Sequence, residues 1–360
     1  MKVKGSFYKI LKAKKCVFNA SDITEQLALV DEDRVNKIAE GVSSYLQINL
    51  PKAFDRRKNL GDYRTNPYVL MTSASVLDLD DPDRFADFIF NSKFYMALET
   101  SFGKSIESAF VGQYPIGLET RWEDPEEKLA EFRELEGLTR EVKAQRRVES
   151  VWREIDKSVE IGDHRYLVTI KSGPNTINDS QVQAMTDAIR NHYRTWASET
   201  VSANDSINYI DIVVGLTYGT TRTTNNKENQ ILAKLLDNGF IEEDRDNNPG
   251  VLIDEETRRI RVYRKIGIDY WAFMGNPVNP SSAQHVFLEV LLGLAKALSN
   301  DIDRASIEEG VNRRIRSLSN ALSRLQLPEG CLPDWVEDDF NEEELFLFTT
   351  AMSAFYDEGI

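Results

Sequence analysis

An α/β fold built on a mixed central sheet is what this sequence predicts, and three observations predict it. The stretch YIDIVVGLTY over 209–218 is nearly continuous in apolar residues, the mark of a strand buried on both faces. A hairpin pattern precedes it over 151–171, with Gly162 and Asp163 as turn formers between two β-favouring runs. Between the two lies a helical pattern over 179–196, entered through Asn178 or Asp179 as cap, with Val182, Met185, Ile189 and Tyr193 on one face. Helix, hairpin, helix, strand and further helices are the order expected of an α/β domain.

Before the hairpin the chain reads as helical. Ser21 and Asp22 ahead of Glu25 resemble a cap, and Val35, Ile38, Ala39, Val42 and Leu46 recur at helical spacing until Pro51, where the run is expected to end. The segment 55–67 is polar and irregular. A helix over 93–111 follows, with Phe94, Leu98, Phe102, Ile106 and Phe110 four residues apart and Lys104 and Glu107 near the flank of that stripe. From 125 to 149 the chain is charged with few apolar anchors, which predicts one exposed helix. Beyond 218 a further strand is expected over 259–263, then helices over 281–298, 302–325 and 342–355. The expected organisation is an N-terminal helical region (1–62), a core (63–280) and a C-terminal helical region with an acidic tail (281–360).

Composition excludes several classes. The 360 residues are 41% hydrophobic and 10% aromatic, enough for a sizeable core. Cys16 and Cys331 are too few for a disulfide framework, so a reducing compartment and two buried thiols are expected. No run approaches the ~18 apolar residues of a membrane span, and the lysine-bearing start lacks a signal-peptide apolar segment, so a cytoplasmic, soluble protein is expected. The net charge of −15 argues at first sight against nucleic acid. Ten of those excess charges, however, sit in 327–360, a segment with ten acids and no Lys or Arg. Basic clusters remain around Arg140, Lys143, Arg146, Arg147 and Arg153, around Arg258, Arg259, Arg261, Arg264 and Lys265, and at Arg313, Arg314 and Arg316. Each reads first as a solvated face, with phosphate contact as the alternative.

The three histidines, His164, His192 and His285, are scattered, which removes zincin and histidine-dependent nuclease chemistry. Neither GxxxxGK[ST] nor GxGxxG occurs, so nucleotide-driven and dinucleotide chemistry lack support. What remains is an acid and a lysine in the hairpin. Strand alternation puts Asp156 and Lys171 on one side of the sheet. A two-residue turn at Gly162 and Asp163 sets Asp156 opposite Thr169 and Glu154 opposite Lys171, whereas a four-residue loop sets Asp156 opposite Lys171. A lysine ending the apolar segment LVTIK is costly unless it pairs or works. A plain cross-strand ion pair with Asp156 or Glu154 is the bland reading.

These residues resemble the PD-(D/E)XK nuclease core, in which an aspartate on one strand and an acid-x-lysine on the next hold Mg²⁺ and orient water. More narrowly, a series of blocks is similar to the type II restriction endonucleases that cut the degenerate site RGGNCCY. They are NPYVLM at 66–71, TSFGKSIE at 100–107, EIDKSVE at 154–160, IKSGPNTIN at 170–178, VVGLTYG at 213–219 and DYWAFMG at 269–275. The likeness runs in order over 63–298, about two thirds of the chain. It implies a restriction-endonuclease-like sheet flanked by helices, with additional N- and C-terminal helices.

The sequence departs from that family at one position: the acid expected two residues before the lysine is Thr169, and a hydroxyl is a poor ligand for a hard cation. The resemblance implies that a carboxylate from another element takes its place, with Glu107 first and Glu154, Glu160 and Asp179 behind it. The implied chemistry is Mg²⁺-dependent hydrolysis of double-stranded DNA. Asp156, a second carboxylate and the carbonyl of Ile170 would hold the metal, Thr169 sits in the catalytic segment, and Lys171 would position the nucleophile. Ser172, Asn175, Thr176 and Asn178 follow the active strand as candidate DNA contacts, and Lys104 as a candidate phosphate contact. A homodimer is expected from the symmetry of palindromic sites, and a cognate methyltransferase from the toxicity of such a nuclease. Two other readings use the same residues: a structure-selective or repair nuclease, and a DNA-binding module that has lost catalysis with the acid at Thr169.

Overall fold

The structure, a computed structural model, describes residues 20–55, 63, 66–79, 81–110, 112–171, 177, 179–220, 226–300 and 304–353. In chain order the helices before the sheet are α1 (Ala20–Leu27), α2 (Glu32–Asp55), α3 (Pro67–Leu77), α4 (Pro82–Phe110), α5 (Glu126–Glu134) and α6 (Arg140–Glu149). The hairpin β1 (Lys157–Ile161) and β2 (His164–Lys171) leads to α7 (Asp179–Ala203), β3 (Tyr209–Leu216) and α8 (Lys227–Leu236). The short strands β4 (Ile241–Glu243) and β5 (Leu252–Asp254) precede β6 (Ile260–Ile266) and α9 (Ile268–Gly275). A 3₁₀ turn at Pro280–Ala283 leads into α10 (Val286–Asn300), α11 (Arg304–Leu322), α12 (Asp334–Asp339) and α13 (Glu342–Ser353).

The six strands form one mixed sheet in the order β1-β2-β3-β6-β5-β4. β2, β3 and β6 are parallel, and antiparallel partners close both edges. β3 sits between two parallel partners and is buried along almost its whole length, which is why its sequence shows no polar alternation. α7 covers one face. Its Val182, Met185, Ile189, Tyr193 and Trp196 pack with Leu167, Ile212, Val214, Leu216 and Val262 from alternate positions of three strands. Gly162, at φ 63°, makes the two-residue hairpin turn that pairs Ile161 with His164.

The chain divides into two compact units, Met1–Ala39 with Ile106–Lys296, and Glu40–Ser105 with Ala297–Ile360. The first holds the sheet. There the fully buried Glu289 of α10 accepts hydrogen bonds from Arg34 Nε (2.9 Å), Arg34 Nη2 (2.7 Å), the Asp31 backbone N–H (2.9 Å) and the Tyr114 hydroxyl. In the second unit α3 packs with α13, Phe85 meets the ring of Phe346 edge-on at 5.9 Å, and Ser319 bonds Asp83.

Several expectations need correcting. The hairpin's first strand begins at Lys157, not at 151. Residues 150–155 form turns instead, and Trp152 and Ile155, three apart, are both buried because the bend turns both into the core. In sequence their spacing has the look of loose strand alternation. The charged stretch 125–149 is two helices, interrupted around Gly137 at φ 88°. α2 runs through Pro51 to Asp55, since a proline near the end of a long helix removes only one hydrogen bond from a ladder already formed. α3, α8, β4 and β5 lie beyond what the sequence pattern predicts, and α4 starts eleven residues earlier than expected, at Pro82. Cys331 is exposed rather than buried, in a turn too short to build core around it, and Cys16 lies outside the described residues. Among the described residues no helix is long and apolar enough to cross a membrane.

Candidate active site

The hairpin register decides where the acid and the lysine meet. With Lys157 opposite Val168, the next position inward sets Asp156 beside Thr169, as a two-residue turn requires. Asp156 precedes β1 but is already tied to β2: its N–H donates to the Val168 carbonyl (2.8 Å), and its carboxylate Oδ2 accepts the Ile170 N–H (2.6 Å). Lys171, the last residue of β2, places Nζ 3.7 Å from Glu154 Oε2. Both side chains are mostly covered, 20% and 14% exposed. Asp156 and Lys171 are near enough for the ammonium to act on the carboxyl, but burial dominates and holds the Asp156 pKa above the usual aspartate value. Lys171, the Ile170 N–H and Lys128 work against that rise.

Glu107 joins them from α4. Burial, and after it the charge of Asp156, raises its pKa, so the two carboxyls share one electrostatic environment although 49 positions separate them in sequence. Tyr270 of α9 completes the wall. Its ring packs over Gly215, where a Cβ would lie 2.5 Å from the ring, and its phenol is held protonated by burial and by the neighbouring Asp156 and Glu107. Glu107, Ile170, Tyr270, Lys157, Trp122 and Trp271 surround a small apolar-walled cavity.

Of the other candidates, Thr169 is fully buried and its hydroxyl has no hydrogen-bond partner among the described residues. Glu160 is bonded by Asn204 (2.9 Å) and Asp179 pairs with Lys227, so both are engaged elsewhere. Glu154 is the partner of Lys171. Lys104 is exposed one turn before Glu107. Ser172, Asn175, Thr176 and Asn178 lie outside the described residues. In the basic cluster on β6, Arg261 is committed to the fully buried Asp211 through Nε (2.6 Å) and Nη2 (2.7 Å), and Arg258 just before it pairs with Glu242.

Two lysines at the site carry no sequence signal of their own. Lys128 of α5 donates to the carbonyl of Ile155 (2.6 Å), next to Asp156, and Lys157 pairs with Asp124 (2.6 Å) while its charge bears on Glu107. In the sequence both are merely members of charged stretches.

Among the described residues no three His, Cys, Asp or Glu side chains converge on a metal. The two carboxylates that share this electrostatic environment, Asp156 and Glu107, would be the protein's ligands to a cation, with the backbone carbonyl of Ile170 as the oxygen donor the resemblance adds. All are oxygens, and Mg²⁺ characteristically takes one or two carboxylates and completes its shell with water. Residues 126–247 match the family model described as type II restriction endonuclease EcoO109I. The match covers about a third of the chain, takes in α5 to α8, the hairpin, Asp156 and Lys171, and leaves Glu107 and Tyr270 outside. It supports a restriction-endonuclease function. No curated protein matches the chain.

Proposed function

We propose that the protein is a type II restriction endonuclease that hydrolyses double-stranded DNA at specific sequences with Mg²⁺. The observation that carries this reading is the meeting of Asp156, Lys171 and the distant Glu107 around the end of β2, in a segment similar to a restriction-endonuclease family. Asp156, Glu107 and the Ile170 carbonyl would hold the cation. When bound, Mg²⁺ polarises the scissile phosphate and acidifies water. Asp156 is aimed by the Ile170 N–H, which fixes one carboxylate oxygen. Lys171, steadied by Glu154, positions the attacking water and offsets charge that builds on the phosphate. Tyr270 and Trp271 exclude bulk water from one side. Lys104 and the polar residues Ser172, Asn175, Thr176 and Asn178 contribute DNA contacts. The active species is a homodimer in the cytoplasm, accompanied by a methyltransferase that protects the host's sites.

Incubating the purified protein with plasmid and Mg²⁺ tests this: discrete fragments are expected. K171A should lose cleavage by at least ~10²-fold while retaining a sequence-specific gel shift, since its charge serves the transition state more than the ground state. Normal cutting by K171A would remove the site assignment. The buried Thr169 at the position of an acid favours a second reading, a binding module without catalysis, and intact plasmid with a gel shift would select it. A smear of fragments would point to a nuclease without sequence preference.

A further inference from the structure

We propose that Lys128 is a resident cation of this site, placed beside Asp156 and Glu107 so that its ammonium offsets their charge and competes with a divalent ion for them. The inference rests on the proposed metal site. Its geometry begins with α5, whose start is pinned to the hairpin twice: Arg165 donates to Glu127 Oε1 (2.7 Å) and Oε2 (2.8 Å), and Lys157 reaches Asp124 (2.6 Å). Arg165 is itself nearly buried, so this attachment is firm. Lys128 follows directly and donates across to the Ile155 carbonyl (2.6 Å), the residue before Asp156. An ammonium has three donors on a flexible stem, so one backbone bond suffices to park its charge. That bond sets the ammonium next to the Asp156 backbone, and its charge bears on Asp156 and Glu107.

Lys128 and Lys171 therefore differ in role. Lys171 is paired with Glu154, while Lys128 donates to a neutral carbonyl, which leaves its charge to the two carboxylates. Two partly buried acids that feel each other's charge repel, and a lysine on a neighbouring helix relieves that repulsion without acting as a ligand. A divalent ion entering the same position meets the carboxylates' attraction and the ammonium's repulsion together. Lys128 thus lowers the site's cation affinity.

Titration calorimetry with Mn²⁺ on the full chain without DNA tests the inference, with the melting transition of each variant recorded alongside. K128Q, which removes the charge, should bind Mn²⁺ more tightly by on the order of tenfold, and K128R, which keeps it, should bind as wild type does. Unchanged or weaker binding by K128Q overturns the inference, as does tightening in K128R equal to that in K128Q, which would trace the effect to the Ile155 bond. If K128Q melts early, K128A serves in its place with the same expectation. Wild-type protein that takes up no Mn²⁺, or D156A that binds as well as wild type, refutes the metal site itself and the role of Lys128 with it. Loss of binding in D156A with no change in K128Q refutes Lys128 alone.

Discussion

Glu107 is a single carboxyl that the fold holds at an electrostatic cost. Its carboxyl pKa is raised in the folded chain, first by burial and then by Asp156, so the ionised form penalises the native state at neutral pH. That penalty is present above the folded pKa and disappears as pH falls through it. E107Q is therefore expected to be more stable than wild type at pH 7, by under about 1 kcal/mol given partial screening, and the advantage should shrink as pH falls through the acid range. Urea melts across that range check this, and the same variant should lose Mg²⁺-dependent cleavage. Lys171 is legible because an ammonium ends the apolar run LVTIK, whereas Asp156 lies in the charged string EIDKSVE and is read from its place on the same side of the hairpin as that lysine. Glu107 is readable only through the resemblance, and Lys128 not at all, since a surface-like charge in a charged helix announces nothing until another element comes within reach of it.

At the scale of the element, close approaches set the site's walls. Gly215 lets the ring of Tyr270 lie against β3, and a Cβ there would sit 2.5 Å from that ring and 2.9 Å from the Thr169 carbonyl. G215A should destabilise the protein by about 1–3 kcal/mol and reduce cleavage, because Tyr270 must move from its place beside Asp156 and Glu107. Thermal melting and plasmid cleavage measure the two effects. The ion cluster joining α2 to α10 is a second such element. Removing the Glu289 carboxylate leaves Arg34, only 20% exposed, facing a gap, so E289A is expected to cost about 3–5 kcal/mol in denaturant unfolding. Elements with strong local signals are recovered from sequence: β3 by its unbroken apolar run, α7 by cap and periodicity, and the hairpin turn by Gly162 and Asp163. The turn at 150–155 reads as strand because the stretch 151–161 alternates loosely in sequence, and only the fold shows a bend that turns both Trp152 and Ile155, three apart, into the core.

For the whole molecule the charge distribution and the proposed action on DNA decide what to measure. A net charge of −15, two thirds of it in the last 34 residues, means that DNA affinity must come from local basic patches. Binding is therefore expected to weaken steeply with salt. If the enzyme acts on a two-fold symmetric site, sedimentation should give twice the 41.1 kDa chain mass, and a monomer of full specific activity would refute the dimer. Legibility at this scale is uneven: the α/β class and the mixed sheet follow from element order, while the division into two units, with α2 and α4 contributing residues to both, does not. The sequence by itself determined the secondary-structure period of the central strands and helices, the place of the hairpin turn and the position of Asp156 and Lys171 on one side of the sheet, because each depends on residues near one another in the chain; of the two hairpin registers it allowed, the structure selected the two-residue turn. Only the tertiary structure decided which carboxylate stands beside Asp156, that Tyr270 walls the site and that Lys128 reaches it. Electrostatic and packing contacts act through space at a few ångströms, and residues 27 to 163 positions apart carry no local mark of meeting.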